Sequence, residues 1–132
     1  MTAMVLVDTS IWIDYFRDPA AKGNDLLEGL IREQNRAAIC GIILQEILQG
    51  IRDEKSYQLT RQRLLFLPFL EATRDIHLIA ASLYRDLRKK GVTVPSTDAA
   101  IAAVAIHNGF PLFTSDTHFT EIALHSGLKL FA

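Results

Sequence analysis

Short unbroken apolar runs and longer amphipathic stretches take turns along this chain. Met4–Asp8 has a Val-Leu-Val centre and predicts a buried strand, and Ala37–Cys40, Phe69–Glu71, Pro111–Thr114 and Leu128–Phe131 predict four more. Between them the apolar period lengthens to that of a helix. Thr9-Ser10 can cap a helix carrying Ile11, Trp12, Tyr15 and Phe16, which Asp18-Pro19 should break. A second helix follows Asn24, with Leu26, Leu27, Leu30 and Ile31 on one face. Helices are then expected over Ile42–Ile51, Lys55–Phe66, Asp75–Lys90, Thr97–Asn108 and Asp116–Ser126, with Gly91, Gly109 and Gly127 as stops. Strands separated by helices call for parallel pairing with right-handed crossovers. The expected class is α/β, with a central parallel sheet of four or five strands flanked by helices.

Composition narrows this little. A chain of 132 residues, 49% hydrophobic and 22% charged, suits one globular domain spanning 1–132. Repeats and low-complexity stretches are missing. Fourteen basic residues against fifteen acidic ones leave a net charge of -1, which argues against a non-specific nucleic-acid coat. It leaves room for a nuclease, because bound cations offset local carboxylates. The lone Cys40 cannot form an internal disulfide, so a reducing cytoplasm is the expected setting. The apolar start lacks a basic flank and is too short for a signal peptide, and Ala99–Ile106 is too short to span a bilayer, so no membrane association is expected.

Four acids stand apart from the solvated helix faces. Asp8 ends the first strand, Asp116 lies two residues past Pro111–Thr114, Glu46 sits in the helix after Ala37–Cys40, and Asp98 lies in the first turn of the apolar helix. An open parallel sheet binds ligands beyond the carboxyl ends of its strands, and chain order alone brings three of these acids there. Each also has a plainer reading. Asp8 and Asp116 suit helix starts, Asp98 suits a first turn, and Glu46 at the edge of the stripe Ile43, Leu44, Ile47, Leu48 and Ile51 suits the surface. Collected in one pocket, four carboxylates raise one another's pKa unless a cation neutralises them, and oxygen donors suit Mg²⁺ or Mn²⁺. His77, His107, His118 and His125 show no zinc-ligand spacing and read as ordinary surface or partly buried residues.

The segments VLVDTSIWIDYF (5–16), EILQG (46–50), STDAAIAAVA (96–105) and LFTSDTHF (112–119) together resemble the PIN-domain family, more narrowly the VapC-type toxins of toxin–antitoxin pairs. The resemblance covers essentially the whole chain. It implies a PIN-like three-layer sandwich, Mg²⁺- or Mn²⁺-dependent cleavage of RNA, and neutralisation by a cognate antitoxin. The family's acids fall on Asp8, Glu46, Asp98 and Asp116, with Asp8, Asp98 and Asp116 as metal ligands. Thr114 is the nearby hydroxyl, and Ser10 or Thr9 supports Asp8. Glu46 or Asp116 would orient the attacking water, giving a 5′-phosphate and a 3′-hydroxyl, while Arg61, Arg63, Arg85, Arg88, Lys89 and Lys90 are candidate guides for the RNA backbone. The ring-rich helix bearing Ile11, Trp12, Tyr15 and Phe16 has more apolar surface than one face can bury, which marks it for the antitoxin. A homodimer is the expected assembly. Two other classes compete. A haloacid-dehalogenase-like phosphotransferase needs a second Asp where Ser10 stands, and a receiver domain needs an acidic pair and a late lysine that are not evident. A non-catalytic binding module remains open, and metal-dependent RNA cleavage separates it from the nuclease.

Overall fold

The computed structural model describes residues 3–18, 24–33 and 35–131. Val5–Val7 (β1), Ala37–Cys40 (β2), Phe69–Leu70 (β3) and Leu112–Phe113 (β4) form a four-stranded sheet in the order β3-β2-β1-β4. Every pairing is parallel, with Val5 opposite Ala37, Leu6 opposite Leu112 and Ile39 opposite Phe69. β1 and β2 are fully buried, as unbroken apolar runs require when both faces of a parallel sheet are covered. The strand expected at Phe69–Glu71 is a two-residue edge strand, Phe69–Leu70. Leu128–Phe131 joins β4 through one parallel bridge at Leu130, held by Leu112 N to Lys129 O (2.9 Å) and Phe131 N to Leu112 O (2.8 Å). The fifth strand expected there is reduced to that bridge.

Seven helices among the described residues complete the architecture: Thr9–Arg17 (α1), Asp25–Arg32 (α2), Gly41–Gln49 (α3), Glu54–Leu65 (α4), Arg74–Lys89 (α5), Ser96–Asn108 (α6) and His118–Leu124 (α7). α6 is apolar almost all round because it is the central helix: every residue from Asp98 to Ala105 is buried. Its alanines let α5 pack closely along it, through Ile76, Ala80, Leu83 and Leu87. Gly109 ends α6 at φ +70°, a left-handed position where a side chain is strained. α1 ends at Arg17, with Asp18 as its C-cap; the break expected at Asp18-Pro19 lies partly outside the described residues, since Pro19 is among those left out.

Trp12 corrects the sequence reading of α1. Its side chain is only 1% exposed, donates from Nε1 to Val7 O at 3.0 Å, and stacks on Phe16 with ring centroids 5.9 Å apart. It is a core residue tied to β1, with almost none of its own surface left open. Ile11, Tyr15 and Phe16 are partly buried, and Tyr15 donates its hydroxyl to Glu28. Trp12→Ala is therefore expected to cost about 3–5 kcal/mol of folding stability through the cavity it leaves. Urea titration of the variant checks this, and a loss below about 1 kcal/mol would place the ring outside the core.

Candidate metal centre

The strand order puts β4 on the far side of β1 from β2, so the chain reverses direction across the sheet between β1 and β4. The crevice at the carboxyl ends of these two strands is where an open parallel sheet offers a site. Asp8 leaves the end of β1 there, with its N–H donating to Phe113 O at 2.9 Å. Although it occupies the N-cap position of α1, its carboxylate caps nothing. It instead accepts from Thr114 Oγ1 (2.8 Å) and Ser10 Oγ (3.0 Å). These hydroxyls also hold the segment after β4: Asp116 N donates to Thr114 Oγ1 at 3.0 Å, and Ser115 N to Ser10 Oγ at 3.2 Å. A buried carboxylate and the backbone that carries Asp116 are thereby fixed to each other by two hydroxyls.

Asp116 does not start the last helix as the sequence suggested. It sits two residues before α7, and its Oδ1 accepts from His118 N at 2.9 Å, an Asx-type turn that delays the helix. That turn brings the imidazole back over the acids. His118 Nδ1 lies 3.1 Å from Asp98 Oδ2 and 3.2 Å from Asp116 Oδ1. Asp98, Asp116 and His118 each offer one ligand atom, all within 4.8 Å of one another. Asp98 reaches this point from the first turn of α6 and is 8% exposed.

Electrostatics report how crowded the crevice is. Burial, then the Asp116 carboxylate, push the Asp98 carboxyl from 3.8 to about 6; Asp8 adds to the rise and His118 opposes it. Negative charge is in excess there, and the donors are carboxylate oxygens with one imidazole nitrogen. Such a set fits a divalent cation, which would relieve the repulsion that the single imidazole only partly offsets. Glu46 stands off from the tight group. It projects from α3 and accepts from Thr9 Oγ1 at 2.7 Å, one residue after Asp8. Thr9 thus holds Glu46, while Ser10 holds Asp8. Cys40, buried next to both acids, has its thiol pushed up chiefly by burial and is no nucleophile at neutral pH.

The structure thus gathers Asp8, Asp98 and Asp116 in one crevice with Glu46 at its side. The tight metal-sized group takes His118 where the sequence reading had placed Asp8. An isolated histidine carries no metal spacing in the sequence; the one local signal for His118 is its place two residues after Asp116. Thr9 as the partner of Glu46 had no local signal, since 37 positions separate them.

A parallel sheet of this order with acids gathered at its switch point makes the chain an α/β domain with a cation-binding type of site. The chain belongs to the PIN-domain family, whose profile matches residues 5–124. Among its relatives, the VapC ribonuclease Mb1587 of Mycobacterium bovis is 35% identical over 129 residues, covering 96% of each chain. Ribonuclease VapC1 of Methanocaldococcus jannaschii is 28% identical over 127 residues, covering 96% of this chain and 86% of its own. The fold is shared with the crystal structure of DNA-bound VapBC from Salmonella typhimurium, at a TM-score of 0.83 and 19% identity over 98% of each chain.

Proposed function

We propose that this protein is a metal-dependent endoribonuclease and the toxin of a VapBC-type pair. The observation that carries the reading is the group formed by the buried Asp98 with Asp116 and His118, beside Asp8, at the switch point of a PIN-domain sheet. Relatives of near-equal length named as VapC ribonucleases support the substrate class. Asp98 and Asp116, with Asp8, would hold Mg²⁺ or Mn²⁺. When bound, the cation supplies charge for the phosphate oxygens and activates water. Ser10 and Thr114 fix the Asp8 carboxylate, so that negative charge is presented without rearrangement. Glu46, held by Thr9, would take a proton from the attacking water. Thr114 and Ser10 also set the position of Asp116 through its backbone.

The same reading gives the protein an antitoxin partner. A groove of about 470 Å³ between α1, α2 and α4, lined by Tyr15, Phe16, Ile31 and Leu64 and rimmed by the exposed Phe66, is suited to an apolar face of another chain. A single domain over 1–132, a homodimer and a cytoplasmic location belong to this proposal as well. No helix among the described residues is long and apolar enough to cross a membrane.

The test is cleavage of total cellular RNA by the purified chain, with both ends of the products mapped. Products with a 5′-phosphate and a 3′-hydroxyl, lost in Asp8→Asn, are expected. Products ending in a 2′,3′-cyclic phosphate would mean that the ribose hydroxyl is the nucleophile, and the hydrolytic reading would fall.

A further inference from the structure

Beside Glu46 the surface opens into a trough of about 400 Å³ between α1, α3 and α4. Three helix faces build it. α1 contributes Ile13, Phe16 and Arg17, which share one side by their spacing of three and four. α4 contributes Ser56, Leu59, Thr60 and Arg63, again one side of the helix. α3 and the turn after it supply the floor through Ile47 and Ile51, with Glu46 at one end.

Two features of the trough are unusual for a surface that only packs. First, Ile13 and Leu59 are 40% and 50% exposed on opposite walls, so apolar surface faces apolar surface across open space. Second, the ion pairs among the described residues are Arg32 with Glu28 and those of His118, and neither Arg17 nor Arg63 takes part. Each arginine stands in the last turn of its helix, where the dipole stabilises a cation without a carboxylate partner. Their guanidinium groups are left to bind an anion from outside. The lining therefore carries two positive groups against the one charge of Glu46, on a chain whose overall charge is negative.

We propose that this trough seats the RNA nucleotide next to the scissile bond, with Arg17 and Arg63 binding its phosphate and the Ile13 and Leu59 walls taking its sugar and base. The proposal rests on the ribonuclease reading above. A single RNA strand is the occupant that the chemistry favours, because it presents an anion and a flat apolar face in every repeat. A space of this size holds one nucleotide and not a folded duplex. Ser56 and Thr60 add hydroxyl partners on the α4 wall for a ribose or phosphate oxygen. Continuity with Glu46 places the occupant beside the acids instead of on a remote surface. Arg63 and Arg17 are positioning residues in this scheme: they hold the strand and leave the chemistry to the acids.

The experiment compares Arg17→Gln, Arg63→Gln, Arg63→Lys and, as a control, Arg32→Gln, whose guanidinium is already paired with Glu28. Cleavage of total cellular RNA gives KM and kcat. Binding of fluorescent bulk transfer RNA and of a mixed-sequence oligoribonucleotide is measured in the Asp98→Asn background across a salt series. Arg17→Gln and Arg63→Gln are each expected to raise KM about fivefold with kcat within about twofold. Each should also lower the slope of log Kd against log salt, the two losses together coming to about 0.7, the value for one phosphate no longer neutralised. Arg63→Lys should keep the slope that Arg63→Gln loses, a contrast that a purely packing role would not predict, and Arg32→Gln should change nothing. If the wild type cleaves RNA but both glutamine variants match it in KM and slope, the trough proposal fails and the ribonuclease reading stands. The trough proposal fails in the same way if the variants bind RNA normally and instead lose a protein partner encoded beside this gene. If the wild type cleaves no RNA yet the slopes fall as expected, the trough is an RNA site and the hydrolase reading fails.

Discussion

Chelation with EDTA is expected to take RNA cleavage by this protein to background, and Mg²⁺ or Mn²⁺ to restore it. Asp98 does not readily present full charge to a phosphate without a cation beside it, because burial and the Asp116 carboxylate already raise the cost of ionising it. His118 is the group that now bridges these carboxylates, and an imidazole has no second positive charge to offer the substrate. Ca²⁺ should support activity poorly, since its looser coordination places water less well for in-line attack. Cleavage rates in EDTA and after addition of each ion check this. Robust cleavage in EDTA by protein freed of contaminating nuclease would remove the metal from the mechanism.

Asp98→Asn is expected to lower cleavage by at least about a hundredfold while making the metal-free fold more stable near neutral pH. The folded carboxyl titrates at about 6 and the unfolded one near 3.8, so over that window the folded chain holds a proton that the unfolded chain has released. Stability therefore falls as pH rises from about 4 to 6, and the full cost is present above it. The asparagine removes the ionisation and with it the cost, which is on the order of 1 kcal/mol once screening by solvent and by His118 is allowed for. In EDTA the variant should melt about 3–5 °C above the wild type at about pH 8, with the gap closing toward pH 4. Added Mg²⁺ should then raise the melting temperature of the wild type more than that of the variant. A variant that melts below the wild type in EDTA at the higher pH would mean that the Asp98 charge is not a burden in the fold.

Both expectations depend on a placement that the sequence suggested for some residues and could not suggest for others. The alternation of strand and helix was legible because parallel strands buried on both faces read as unbroken apolar runs, as Val5–Val7 and Ala37–Cys40 do. An apolar helix closed by glycine was equally plain at Ser96–Asn108. From strand ends and chain order alone, Asp8 and Asp116 could be assigned to one edge of the sheet. The family resemblance agrees with the profile matched over residues 5–124.

What only the tertiary structure decided are the contacts between groups far apart in the chain. Trp12 looked like surplus aromatic surface because periodicity shows how much apolar area a helix has, not how deeply the neighbouring strand receives it. Thr9 and Ser10 looked like alternative supports for one acid, yet they divide the work. Successive side chains of a helix point about 100° apart, so Ser10 meets Asp8 while Thr9 meets Glu46. His118 became part of the acidic group only because Asp116 accepts its N–H and turns the chain back. The sequence by itself determined the elements and the type of chemistry, since burial periods and residue types are local properties. The tertiary structure decided which side chains share the crevice and how strongly their charges oppose, because that depends on distances set by packing between α6, β1 and the segment after β4.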